Sequence, residues 1–144
     1  MTRIAVFLLF SLFTGLFLPV TGISQNASVS GFVWDDLNSN GLQDTLEPGL
    51  PGVVVVLENG DSTVATQTTD SLGNYAFTGL PADSFRLEFV NPGGLFLTLQ
   101  NVGPNDSLDS DADPAGFVGF FALADSQDVD FDAGFSATPV LCTI

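Results

Sequence analysis

The sequence predicts an all-β sandwich or barrel that follows a short apolar leader. Three observations predict this fold class. Apolar residues recur at every second position, Gly, Pro, Asn and Asp interrupt these runs about every ten residues, and no stretch has the periodicity of an amphipathic helix. The chain of 144 residues is long enough for one domain with a core of its own.

Residues 1–24 differ from the rest of the chain. Arg3 precedes an uncharged apolar run, Ile4–Leu18, and small residues follow it as far as Ser24. A positive start, an apolar centre and a small-residue exit are typical of a cleavable secretory signal peptide. A retained membrane anchor is the alternative, but the run is shorter than the roughly 20 residues of a spanning helix. We therefore expect a secreted or cell-surface protein with no membrane segment after cleavage.

Eight later segments have the alternation and the composition of β-strands. In one of them Phe85, Leu87 and Phe89 share a face while Arg86 and Glu88 share the other, so a one-residue slip would bury charge. We assign residues 25–135 to the β-domain and residues 136–144 to a short tail. The predicted strands are Ser28–Trp34, Val53–Glu58, Val64–Thr69, Tyr75–Thr78, Ser84–Val90, Leu95–Leu99, Phe117–Leu123 and Val129–Phe135.

The composition excludes several functions. The chain has 17 acidic residues against two arginines, a formal net charge of -15, and neither histidine nor lysine. The composition therefore excludes catalysis by histidine, metal ligation by histidine and Schiff bases on lysine. The lone cysteine, Cys142, permits no intramolecular disulfide and no thiolate zinc site. Such an acidic chain cannot neutralise nucleic-acid phosphates. We expect a monomer that binds no nucleic acid.

One segment, Asp36–Glu47, has the spacing of the twelve-residue calcium loop. Oxygen ligands without nitrogen or sulfur favour Ca²⁺ over transition metals. The alternative is a polar surface turn, since a strand and a Pro-Gly corner flank the segment instead of two helices. The expected ligands are Asp36, Asn38, Asn40, the Leu42 carbonyl, Asp44 and Glu47, with Gly41 at the sharp turn.

Two further groups of acidic residues alternate late in the chain. In a strand, alternate residues share a face at about 7 Å, where like charges repel unless they are solvated or bridged by a cation. A second cation site and a solvated acidic face are both open, and a saline habitat would also explain the overall acidity. The two groups are Asp109, Asp111 and Asp113, preceded by Asp106, and Asp128, Asp130 and Asp132. Asp109, Asp111, Asp113, Asp130 and Asp132 are the candidate ligands.

The motifs resemble the B-domain module of serine-aspartate-repeat surface adhesins. They are the run Gly31–Gly41 with its continuation to Val53, the turn and strand Thr69–Phe77, the triplet Asp109–Asp111 and the closing run Asp130–Phe135. The resemblance covers about Ser28 to Phe135. It implies an immunoglobulin-like Greek-key β-sandwich of about seven or eight strands, related to collagen-adhesin B modules. It also implies calcium-dependent rigidity and a spacer role beside neighbouring modules in secreted or wall-attached proteins.

The resemblance carries the family's calcium ligands to Asp36, Asn38, Asn40, Asp44 and Glu47. Many related modules form a Lys–Asn isopeptide cross-link. This chain has no lysine, so it cannot form that bond.

The leading hypothesis is a non-enzymatic adhesin-type module that Ca²⁺ makes rigid. The alternative is an extracellular carbohydrate- or protein-binding sandwich whose acidity reflects habitat, which one exposed patch of Phe96, Phe120 and Phe121 would favour. A hydrolase with paired carboxylates is a third hypothesis, but the acids alternate as metal ligands do. We therefore expect no enzyme activity.

Overall fold

The computed structural model describes residues 26–139, which form a β-sandwich of nine strands and one short 3₁₀ turn, Asp106–Leu108. The predicted leader and Cys142 lie outside these residues. The strands are β1 Ala27–Asp35, β2 Val54–Asn59, β3 Ser62–Thr68, β4 Asn74–Leu80, β5 Asp83–Val90, β6 Phe96–Leu97, β7 Phe117–Leu123, β8 Asp128–Asp130 and β9 Ala133–Ser136.

Two sheets form the sandwich. The first has the order β4-β1-β9-β6, with β8 also paired to β1, and the second has the order β3-β2-β5-β7. β1 is antiparallel to β4 but parallel to β8 and β9. The chain passes from one sheet to the other between β1 and β2, between β3 and β4, and at every connection from β4 to β8. The predicted immunoglobulin-like β-sandwich is confirmed.

Alternate strand residues meet between the sheets and form the core. Phe85, Leu87 and Phe89 are all buried, as their spacing predicts. Tyr75 packs edge-on against Phe77 and Phe89, with ring centroids 5.9 and 5.6 Å apart. Because burying one such large side chain contributes roughly 1.5–3 kcal/mol, these rings are a main source of stability.

The predicted strand Val129–Phe135 is wrong as one element, because the structure divides it into β8 and β9. The Phe131 N–H still donates to the Ser30 carbonyl at 2.9 Å. The Phe131 carbonyl, however, accepts the Tyr75 hydroxyl at 2.8 Å, and the Asp132 N–H donates to a side chain instead of a neighbouring strand. These contacts interrupt the ladder of hydrogen bonds to β1, so β8 and β9 are separate strands.

Two further predictions differ from the structure. The predicted strand Leu95–Leu99 shortens to β6, although the Thr98 N–H still donates to the Gly134 carbonyl of β9 at 3.0 Å. The sequence also predicts a hairpin turn at residues 70–74. There the Asp70 carboxylate accepts the Asn74 N–H at 2.9 Å and reverses the chain, but β3 and β4 belong to different sheets.

Within residues 26–139, the structure has no helix with the length and apolar character needed to cross a membrane.

Candidate cation sites

The predicted calcium loop, residues 36–47, leaves the end of β1 and is fixed there by Asp36. This residue is fully buried, and its N–H donates to the Phe135 carbonyl of β9 at 2.7 Å. Its Oδ2 accepts the Gly41 N–H at 2.8 Å and the Thr98 hydroxyl. Gly41 has φ 81°, and a Cβ there would lie 2.8 Å from a backbone oxygen, so the sharp turn requires glycine.

Three expected ligands converge inside the loop. The Nδ2 atoms of Asn38 and Asn40 both donate to Asp44 Oδ2, at 2.8 and 2.9 Å. Their Oδ1 atoms accept the N–H groups of Asn40 and Leu42, at 3.0 and 2.7 Å. An asparagine amide presents either nitrogen or oxygen when it rotates about its last bond. The side chains of Asn38, Asn40 and Asp44 therefore meet at Asp44 Oδ2, where rotated amides would present oxygen.

Glu47 closes the loop. Its Oε1 accepts the Leu37 N–H at 2.9 Å and its Oε2 accepts the Asp44 N–H at 3.0 Å. Each oxygen keeps a further lone pair. Glu47 therefore ties the two ends of the loop together through both carboxylate oxygens.

The loop also contacts the second acidic segment. Leu42 forms an isolated β-bridge with Asp109, and the Gln43 N–H donates to the Leu108 carbonyl at 2.8 Å. Residues 36–47 and 106–111 are thus neighbours although they lie far apart in the chain, so the sequence pattern does not predict their contact.

A compact acidic group forms in that second segment. Among the described residues, the carboxylate oxygens of Asp106, Asp109 and Asp111 lie within 4.8 Å of one another. Asp109 is only 2% exposed, and its buried Oδ1 has no hydrogen-bond partner within residues 26–139. Burial, together with the charge of Asp106, raises the pKa of Asp109. A buried carboxylate without a partner is costly.

Two hydrogen bonds join Asp111 and Asp132. The Asp111 N–H donates to the Asp132 carbonyl at 2.8 Å, and the Asp132 N–H donates to Asp111 Oδ2 at 2.7 Å. Asp132 Oδ1 also accepts the Phe32 N–H at 2.7 Å. Burial raises the pKa of Asp111 to about 6 and that of Asp132 to about 7, and the charge of Asp130 adds to both shifts.

The remaining predicted ligands lie elsewhere. Asp113 Oδ1 accepts the N–H groups of Ala115 and Phe117, at 2.9 and 3.0 Å, and builds the turn before β7. The structure thus brings Asp109 and Asp111 together with Asp106, which the sequence analysis noted only as the preceding acid, and it gives Asp113 a separate role.

The members of the second trio differ in burial. Asp128 and Asp130 are exposed, whereas Asp132 is buried. Asp130 and Asp132 nevertheless line one cavity, although the break between β8 and β9 separates them in the chain.

The exposed aromatic residues do not form one surface. Phe120 on β7 is 61% exposed and Phe96 on β6 is 46% exposed, but these strands belong to different sheets. Phe121 packs inward against Phe131, with ring centroids 4.7 Å apart. The arrangement that would favour a binding module on these three rings is therefore not formed.

The fold and its loops define an acidic β-sandwich module. The family model described as the SdrD B-like domain matches residues 27–135. The chain belongs to this family, as its motifs indicate.

The relatives are much longer proteins. Serine-aspartate repeat-containing protein C of Staphylococcus aureus strain Newman is 35% identical over 119 residues, which cover 82% of this chain and 12% of the relative. The same protein of strain N315 is 34% identical with the same coverage. The chain thus spans about an eighth of the length of these relatives.

Among solved structures, a streptococcal ancillary pilin is 18% identical with a TM-score of 0.49, covering 80% of this chain and 33% of the pilin. A likeness at this level carries no conclusion about function.

Proposed function

We propose that this chain is a non-enzymatic structural module of a secreted or cell-surface protein, and that Ca²⁺ bound by residues 36–47 makes it rigid. The convergence of Asn38, Asn40 and Asp44 above the buried Asp36 carries the proposal. Asp36, Asn38, Asn40, Asp44, Glu47 and the Leu42 carbonyl would supply the oxygen ligands that Ca²⁺ prefers.

An ion in this loop would stiffen the end of the module. The loop already contacts the last strand, because Asp36 binds Phe135 and the Ser39 hydroxyl lies 2.6 Å from that of Ser136. Metal binding to the folded state alone stabilises it by about 2.7 kcal/mol when free calcium is about 100 times the dissociation constant. It also offsets repulsion within a chain of net charge -15.

A second ion between Asp106, Asp109 and Asp111 forms part of the proposal. These three carboxylates lie close enough to share one cation. A divalent ion would give the buried Asp109 the counter-charge that residues 26–139 do not supply.

The relatives support a role beside neighbouring modules. Their names describe serine-aspartate repeat proteins, and this chain matches only 12% of their length. We propose that the domain acts as a stiff spacer, with calcium as its ligand and adjacent modules or extracellular molecules as its partners.

The calcium loop is tested with Asp44→Asn, which removes one ligand charge but keeps the shape of the side chain. We expect Ca²⁺ to raise the melting temperature of the original protein above its value in chelator. Asp44→Asn should weaken calcium binding at the loop at least about tenfold, or about 1.4 kcal/mol.

Calorimetric titration with Ca²⁺ gives affinity and stoichiometry together. Asp125→Asn, an exposed turn residue with the same charge change, is the control and should bind as the original does. Equal melting temperatures with calcium and with chelator would contradict the proposal, and a stoichiometry of one would remove its second ion.

A further inference from the structure

An acidic cavity of about 350 Å³ opens where β1, β4 and the end of β8 meet the 36–47 loop. Its lining includes the carboxylates of Asp130 and Asp132, the amide of Asn74 and the hydroxyls of Ser30 and Ser107. We propose that this cavity receives a cationic side chain, a lysine ammonium or an arginine guanidinium, from a partner polypeptide.

A carboxylate that lines the cavity has an oxygen without a hydrogen-bond donor in the described part of the chain. Asp132 is only 5% exposed, and while its Oδ1 accepts the Phe32 N–H, its Oδ2 receives no hydrogen bond from the described part of the chain. The Asp130 carboxylate, at the rim, likewise receives none there. A nearly buried carboxylate with a free oxygen facing a cavity favours a positively charged occupant.

The described residues 26–139 do not provide that charge. The chain has no lysine, and of its two arginines Arg3 lies in the predicted leader. Arg86 belongs to β5 of the other sheet and donates from Nε to Glu58 at 2.8 Å. The counter-charge therefore has to come from outside these residues.

A side-chain cation fits this cavity better than a metal ion does. A divalent ion needs several carboxylate oxygens close together. Among the described residues, such a group is formed by Asp106, Asp109 and Asp111. Neither of the two carboxylates that line the cavity belongs to it. An ammonium or guanidinium group instead donates several hydrogen bonds to acceptors that are spread apart. The hydroxyl and amide oxygens of the lining supply such acceptors. The Phe32 and Tyr75 side chains offer apolar surface for the methylene stem.

The test titrates the purified, isotope-labelled protein with Nα-acetyl-lysine methylamide and follows backbone amides by NMR. We expect saturable shifts at Ser30, Asn74 and Ser107. The same compound acetylated on Nε, which has no charge, should shift these amides at least about fivefold less at equal concentration.

Asp130→Asn is the matched variant, because Asp130 is exposed and its substitution leaves the core intact. It should raise the dissociation constant of the probe at least about fivefold. Asp128→Asn, two residues earlier on β8 with the same charge change, should alter it less than twofold.

Equal weakening by both variants would overturn the proposal, since it would show general attraction to an acidic surface. Equal binding of the acetylated probe would also overturn it. If Ca²⁺ displaces the probe and shifts the same amides, the cavity is a metal site and the proposal fails. Loss of the calcium response in Asp44→Asn has no bearing on this result, because that residue does not line the cavity.

Discussion

Two buried aspartates show how differently the same residue type can be accommodated. Asp36 is fully buried and accepts three hydrogen bonds, from two backbone N–H groups and the Thr98 hydroxyl. Asp109 is nearly as buried, yet within residues 26–139 its carboxylate accepts none. Burial of an ionised group is tolerated where donors or a cation compensate it. Asp109 is therefore the more sensitive reporter of a bound ion.

Asp109→Asn should change stability in opposite directions with and without calcium. In chelator it removes an uncompensated charge, and we expect stability to rise by about 1 kcal/mol. In saturating Ca²⁺ it removes a ligand, so the variant should be less stable than the original. Urea unfolding under both conditions measures this difference. Asp61→Asn, in an exposed turn, is the control; a change of one sign in both solutions would argue against an ion at Asp109.

At this scale the sequence predicts the first loop well and the second group only in part. The loop from Asp36 to Glu47 is one contiguous segment, so the spacing of its residues along the chain already indicates which side chains meet. The second group depends on how residues 106–111 fold back on one another. In the sequence Asp113 looks equivalent to Asp109 and Asp111, but the following Pro114 and Gly116 make it part of a turn. Alternation alone does not distinguish these roles.

Among the strands, β1 has the most pairings, because it contacts β4 on one side and both β8 and β9 on the other. Gly31 lies at the point where β8 gives way to β9. A Cβ at this position would lie 1.8 Å from the Phe131 carbonyl oxygen. The close approach of these two backbones therefore requires glycine.

Gly31→Ala should separate β1 from the segment between β8 and β9. Because the obstructing atom is backbone, we expect a loss of at least about 3 kcal/mol of unfolding free energy. Chemical denaturation measures it. Gly119→Ala on β7, where a Cβ would meet nothing within 4 Å, should cost less than about 1 kcal/mol. Similar stability of the two variants would refute the close approach.

The break between β8 and β9 shows what local periodicity omits. The run from Asp128 to Phe135 alternates without interruption, which is compatible with one continuous strand. The break comes from partners distant in sequence. The Tyr75 hydroxyl donates to the Phe131 carbonyl, and the Asp111 carboxylate accepts the Asp132 N–H. Six of the other seven predicted strands appear at their expected places because their own alternation and turns define them, whereas Leu95–Leu99 is reduced to β6.

For the whole molecule, acidity opposes the compact state. Asp109, Asp111, Asp130 and Asp132 all have a pKa above the ordinary value of 3.8, with burial as the leading cause. The folded protein therefore binds protons more tightly than the unfolded chain does at these positions. Stability from this source is greatest at acidic pH and is lost as pH rises.

In chelator, unfolding free energy should decrease as pH increases from about 4 to 8, most steeply at about pH 5, between the ordinary pKa of 3.8 and the raised pKa values of about 6 and 7 for Asp111 and Asp132, and should level off above them. Asp111→Asn should flatten this dependence, because it removes one of the titrating carboxyl groups. Its amide oxygen can still accept the Asp132 N–H, so the local structure should be kept. Melting temperatures across this range provide the measurement. Stability that rises steadily toward pH 8 without metal would contradict the buried, unneutralised state of these carboxylates.

The parallel pairing of β1 with β9 has a mechanical consequence. The described domain begins with β1 and finishes with β9, and these strands run in the same direction. The polypeptide therefore enters at one pole and exits at the other. A pull on both ends would load the hydrogen bonds between these two strands along their length and all at once, instead of peeling them apart one by one. The 36–47 loop, which is attached to β9 through Asp36, lies at the pole where that load leaves the domain.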